Sequence, residues 1–201
     1  MRGKENYTRA LIIVHGKSEK QICEYIKQNL RLNIEIKADK NGEKSIQVTS
    51  IMNTLKDTQH KTLSDFYNTY PGINVTGRGN KRVINDFKIF IMLDLDDCKE
   101  SEGKAFKDKS MFRKHWAYDY IIPIYNEKDL EDSLKASGVK YTKKKSKDMK
   151  KEYIKIFPTD KRYKEKSDKI QLEEFAEMIR NSKKTNMSDL IDYCISCTKN
   201  K

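Results

Sequence analysis

Two short segments carry the residues best suited to chemistry, His15-Gly16-Lys17-Ser18-Glu19 and Asp94-Leu95-Asp96-Asp97. Each follows a run of apolar residues, at 10–14 and 87–93, of the kind a buried parallel strand shows. In an extended chain residues i and i+2 share a face, so Asp94 and Asp96 are expected to turn their carboxylates toward one hard cation while Leu95 turns inward. Asp97 faces away unless the chain bends. Asp-x-Asp also occurs in loop caps and solvated turns. At the tip of a strongly apolar strand, however, clustered carboxylates repel one another and are costly to gather unless a metal or basic groups compensate. His15 is the neighbouring group able to ligate or move a proton, and its plainer role is a histidine hydrogen-bonded at a strand end. Glu19 falls on the first turn of the next helix, close to the same strand ends.

The elements that must position these groups alternate along the chain. A helix capped by Ser18 is expected from Ile22, Tyr25, Ile26 and Leu30, spaced at three and four residues. Leu32 to Ile36 alternates like a half-covered strand, which completes a βαβ unit. Ile51, Leu55, Leu63 and Phe66 suggest helical packing over 50–70, stopped by Pro71-Gly72, and a polar glycine-bearing loop follows at 74–80. A strand is expected over 118–125, then a helix capped by Asn126 and running to Gly138. Residues 140–151 form a lysine-rich block, expected to be a solvated insertion, and 153–157 suggest one more strand. Helices at about 167–198 close the chain. Nothing divides it by composition or repeat. One α/β domain over 1–201 is expected, with a mostly parallel central sheet flanked by helices and a helical C-terminal elaboration.

Read together, Ile12-Ile13-Val14-His15-Gly16-Lys17-Ser18-Glu19 and Phe90-Ile91-Met92-Leu93-Asp94-Leu95-Asp96 resemble the Toprim family of topoisomerases, primases and OLD-type nucleases. The likeness is strongest to the small OLD-like and RloB-like Toprim proteins linked to phage defence. That family has an apolar strand ending in Glu-Gly, a second Glu three residues on, and a later strand ending in Asp-x-Asp. The resemblance implies a Toprim-like fold and a catalytic set of His15, Glu19, Asp94, Asp96 and a late lysine, Lys169 or Lys166. It also implies a divalent metal, Mg²⁺ or Mn²⁺, held by Glu19, Asp94, Asp96 and Glu131. His15 stands where the family has its first glutamate. A histidine brings no negative charge and moves the preference from Mg²⁺ toward Mn²⁺ or softer ions.

Lysine and arginine number 42 against 30 acidic residues in 201, a net charge of +12 that favours polyanionic partners such as nucleic acid. Lys17, Arg78, Lys81, Lys143, Lys144, Lys145 and Lys147 are the candidate phosphate contacts, and a solvated lysine surface is the simpler account of the block. Gly77-Arg78-Gly79 lacks the Lys-Ser/Thr of a phosphate-binding loop. The longest apolar run falls far short of the ~18 residues of a membrane helix, and the charged N-terminus carries no signal-peptide pattern, so a cytoplasmic location is expected. Cys194 and Cys197 lack a second pair to complete a zinc set and suit packing on the last helix. The leading expectation is a metal-dependent nuclease acting on DNA or RNA. A catalytically silent Toprim-like module that binds nucleic acid, and an adaptor or inhibitor from a mobile element that meets a protein partner, are the alternatives.

Overall fold

A computed structural model describes residues 7–138 and 168–199. In chain order it contains strand β1 (Ala10–Val14), helix α1 (Lys17–Leu30), β2 (Ile34–Lys37), α2 (Ile51–Leu55), α3 (Leu63–Thr69), and a small hairpin of β3 (Val75–Thr76) and β4 (Val83–Ile84). There follow β5 (Lys88–Asp94), α4 (Glu100–Lys107), β6 (Ile121–Asn126), α5 (Leu130–Ala136), α6 (Asp168–Arg180) and α7 (Met187–Lys199). The central sheet has the order β2-β1-β5-β6, and every pairing in it is parallel. The expected α/β architecture with a flanked parallel sheet and C-terminal helices is therefore observed.

Alternation along the strands assigns each side chain to one of two cores. Ala10, Ile12, Val14, Phe90, Met92 and Ile124 face the layer formed by α1, α6 and α7. Leu11, Ile13, Ile89, Ile91, Leu93 and Ile121 face the opposite layer, where α2, α3, α4 and the aromatic cluster around Phe66 pack. Both faces of β1 and β5 are covered, which is why their sequences read as continuous apolar runs and not as alternating ones.

The open edge of β6 is capped by the α6–α7 connection. Asn186 accepts the Tyr125 N–H on Oδ1 at 2.9 Å and donates from Nδ2 to the Pro123 carbonyl at 3.0 Å, while Glu127 N–H donates to Lys184 O at 2.8 Å. Among the described residues, a side-chain amide thus pairs with the backbone at the carboxyl end of the β6 edge.

Several boundaries differ from expectation. The helix after β1 begins at Lys17 with Gly16 as its cap, because the Glu19 carboxylate folds back to accept the Gly16 N–H at 3.0 Å. β2 lies over Ile34–Lys37, shifted toward its C-terminus. Residues 50–70 divide into α2 and α3, since Asp57 caps a turn by accepting the Gln59 and His60 N–H groups. The expected loop at 74–80 contains β3. Asn126 is the last residue of β6, and Asp129 caps α5 by accepting the Asp132 N–H at 2.7 Å. α4 was not foreseen. The lysine block and the possible strand at 153–157 lie outside the described residues. Among the described residues no helix is long and apolar enough to cross a membrane.

Candidate functional site

β1 and β5 are neighbours with Val14 opposite Met92, and the His15 N–H donates to Met92 O at 2.8 Å. Both chemistry-bearing segments therefore leave the sheet side by side at its carboxyl edge, where open α/β sheets bind ligands. Alternation then decides which groups meet. Asp94 shares the face of Phe90 and Met92, the face that α1 covers, so it meets Glu19 on the first turn of that helix. The two are buried, Asp94 to 6% and Glu19 to 3% relative exposure.

Asp94 is pushed up to about 8, first by burial and then by the charge of Glu19, with smaller contributions from Asp96 and Asp129. One hydrogen bond opposes this shift: Asn126 Nδ2 donates to Asp94 Oδ1 at 2.8 Å. Asn126 is the register partner of Asp94 across the sheet and only 1% exposed. Its Oδ1 is buried without a hydrogen-bond partner among the described residues. The sequence marks Asn126 only as a possible helix cap; a polar residue at the carboxyl tip of the strand next to β5 was the signal that would have found it.

His15 Nε2 lies 3.9 Å from Asp94 Oδ2, and its Nδ1 is buried with no hydrogen-bond partner among the described residues. Asp96 lies close enough for its charge to raise Asp94, but beyond Asp94 the chain leaves the extended path that would align the two carboxylates. The chain turns at Leu95, which packs into the core, and Asp96 and Asp97 are left exposed beyond the end of β5. Glu131 is buried on the first turn of α5, two residues past the Asp129 cap. Among the described residues no three His, Cys, Asp or Glu side chains are gathered tightly enough to hold a metal ion as they stand.

The remaining candidates are more scattered. Lys17 is exposed at the start of α1, on the carboxyl edge. Arg78 and Lys81 are exposed on the hairpin that leads into the amino end of β5, the opposite end of that strand from Asp94. Lys169 forms an ion pair with Glu173 at 3.6 Å along α6. Lys143, Lys144, Lys145, Lys147 and Lys166 lie outside the described residues.

Two further clusters are structural in character. His60, 1% exposed, has Nδ1 2.6 Å from Asp57 Oδ1 and Nε2 3.2 Å from the Tyr70 hydroxyl, while Lys37 Nζ donates to Asp57 Oδ2 at 2.8 Å. This network ties α2 and α3 to the end of β2. Burial holds His60 below the usual histidine range, and the nearby Lys37 adds to that effect. Cys23, Cys194 and Cys197 pack with the core on the α1 side, and burial pushes their thiols up, as an inert packing role requires.

Compared with known proteins, the chain matches no family model, no curated protein and no solved structure.

Proposed function

We propose that this chain is a Toprim-type, metal-dependent phosphodiesterase that cleaves DNA or RNA, in keeping with a role in phage defence. The observation that carries this reading is the burial of Asp94 beside Glu19 at the carboxyl edge, where Asp96 and Asp129 add like charge in a protein of net charge +12. Acids gathered against the sign of the whole molecule relieve their repulsion by keeping a proton, as Asp94 does up to about 8, or by exchanging it for a metal cation. The donors are carboxylate and amide oxygens, a set suited to Mg²⁺ or Mn²⁺.

In this reading Glu19 and Asp94 would hold the ion, with Asp96 on the exposed turn beyond β5 and the buried Asn126 Oδ1 as further oxygen donors. A bound divalent ion supplies Lewis acidity and lowers the pKa of an attacking water. Asn126 fixes the Asp94 carboxylate through its Nδ2 bond. His15, with Nε2 toward Asp94, holds or passes a proton. Lys17, exposed on the first turn of α1, meets the incoming phosphate near the positive end of that helix dipole. Glu131 supports a second ion position, and Lys169 reaches phosphate only after release from Glu173.

The test is incubation of the protein with plasmid, single-stranded DNA and transfer RNA in Mg²⁺, Mn²⁺ and EDTA. Cleavage is expected with metal, lost in EDTA and lost in Asp94→Asn. Binding without cleavage in any metal would overturn it in favour of a silent binding module, a reading favoured by the presence of His15 at the family's glutamate position.

A further inference from the structure

On the face of the sheet opposite α1, the chain between α4 and β6 crosses α2 and leaves a pocket of about 500 Å³. Met52, Lys56, Ser110, Met111, Arg113 and Lys114 line it. That volume lies within the roughly 300–1,000 Å³ of small-ligand sites and exceeds what a bare anion needs. Lys56, Arg113 and Lys114 are exposed, and among the described residues none of them lies in an ion pair within 4.0 Å. Asp108 is near enough to feel Arg113, but its carboxylate accepts the Ser110 N–H at 2.9 Å.

The wall between these cations is fixed. His115 holds Nε2 3.0 Å from the Leu55 carbonyl and accepts the Ala117 N–H on Nδ1 at 3.2 Å, so its ring is committed to backbone. Those bonds clamp the Arg113-Lys114 turn against the end of α2, and so hold Arg113 and Lys114 opposite Lys56 without any ligand. Met52 and Met111 are half-buried, each with one side packed on the core and the remainder turned to the pocket. Three cations with no ion-pair partner among the described residues, together with two polarizable thioethers, form a composite surface: charge for a phosphate, and a soft apolar contact for a flat ring.

We propose that this pocket binds a nucleoside phosphate, either free or as one unstacked unit of a single strand, with Lys56, Arg113 and Lys114 on the phosphate and Met52 and Met111 against the base. This site does not depend on Asp94 or on metal, and it is separate from the carboxyl-edge acids.

All binding is measured in EDTA, which removes metal-dependent cleavage from the readout. The probes are adenosine 5′-monophosphate and uridine 5′-monophosphate by calorimetry, and a fluorescein-labelled thymidine dodecamer by anisotropy. Arg113→Gln with Lys114→Gln is compared with Lys183→Gln and Lys184→Gln, which removes the same charge from the α6–α7 connection beside the other core. Loss of two phosphate contacts is expected to weaken the dodecamer about 20-fold at ~0.1 M salt and to lower the salt slope by about 1.4. The control pair is expected to change affinity by less than about twofold. Met111→Gln is expected to weaken binding with no change in slope, which a purely electrostatic patch would not show. Binding of the monophosphates, abolished in the pocket variant, identifies a free nucleotide as ligand; binding of the dodecamer alone identifies a strand. Equal losses in both double variants, or no binding of any probe by the wild type, would overturn the proposal whatever the outcome of the cleavage assay.

Discussion

At the scale of single residues, Asp94 is a buried carboxyl at the carboxyl edge whose charged form burial and the neighbouring Glu19 disfavour. Its carboxyl titrates near 8 in the folded chain against an ordinary value of 3.8. Below the lower value both folded and unfolded chains keep the proton. Between the two, the unfolded chain ionises while the folded chain does not, so stability falls as pH rises, and above about 8 the full cost is present. The melting temperature of wild type minus that of Asp94→Asn, measured in EDTA, is therefore expected to decline from pH 4 to pH 8. Asparagine keeps the acceptor for Asn126 and removes only the charge. Mg²⁺ or Mn²⁺ is expected to restore the wild type at pH 8 and to leave Asp94→Asn unmoved; a flat difference across this range would remove the case for a strained carboxylate. Asn126→Ala tests the positioning bond. Cleavage is expected to drop about 10- to 100-fold, the range seen when partners of metal ligands are removed, while Asn126→Asp, which adds like charge beside Asp94, is expected to raise the metal dependence of the melting temperature. Asp94, Glu19 and His15 were legible because residue type and strand-end position suffice to mark them. Asn126 was not, since its role depends on which strand lies beside β5 and in what register. The exposure of Asp96 was not legible from its spacing, since alternation holds only while the chain stays extended, and it turns at Leu95.

Whole elements show the same division between local and non-local causes. β1, α1 and β5 follow from apolar runs and three-to-four-residue spacing, and their pairing follows the preference for parallel strands in an alternating chain. The region over 50–70 carries equally good apolar spacing but breaks, because the Asp57 turn and the Lys37–Asp57–His60–Tyr70 network fix a bend that only the folded neighbours complete. α4 escaped notice because it is short, and only Gly103 and Phe106 on it are buried. Another element matters to the carboxyl edge. After β2 the chain passes through Lys40, Asn41 and Gly42, all with positive φ, and returns to cover the start of α1. A side chain at Gly42, with φ of +91°, would place its Cβ 3.0 Å from Lys17 Cα, a backbone atom that cannot yield without moving α1. Gly42→Ala is expected to destabilise by about 1–2 kcal/mol from the left-handed backbone alone. It should also displace the turn that carries Glu19, so the melting shift caused by Mn²⁺ should shrink as well. Chemical denaturation with and without Mn²⁺ checks both; a loss of stability with an unchanged Mn²⁺ shift would separate this loop from the acids.

Across the whole molecule two fields of opposite sign coexist. A net charge of +12 attracts polyanions at long range, while the acids at the strand ends make the carboxyl edge locally unfavourable to them. A nucleic-acid strand is therefore expected to bind through peripheral lysines without metal, and to reach the carboxyl edge only once a cation has neutralised it. Lys143, Lys144, Lys145 and Lys147 are the densest part of the positive field in the sequence and lie outside the described residues. Each phosphate that such a lysine neutralises releases counterions, so the number of contacts is read from the slope of log affinity against log salt. Changing these four lysines to glutamine is expected to weaken binding to single-stranded and double-stranded DNA alike, without regard to sequence, and to lower the slope by up to about 3.6 units on duplex and about 2.8 on single strands. Asp94→Asn, measured beside it in EDTA, is expected to bind as tightly as wild type or tighter, with no loss of slope. The two variants together distinguish a long-range basic field from an acidic reaction site. An unchanged slope after removal of all four lysines would reduce the block to a solvated surface and leave Lys17 and the neighbours of α1 to carry the strand.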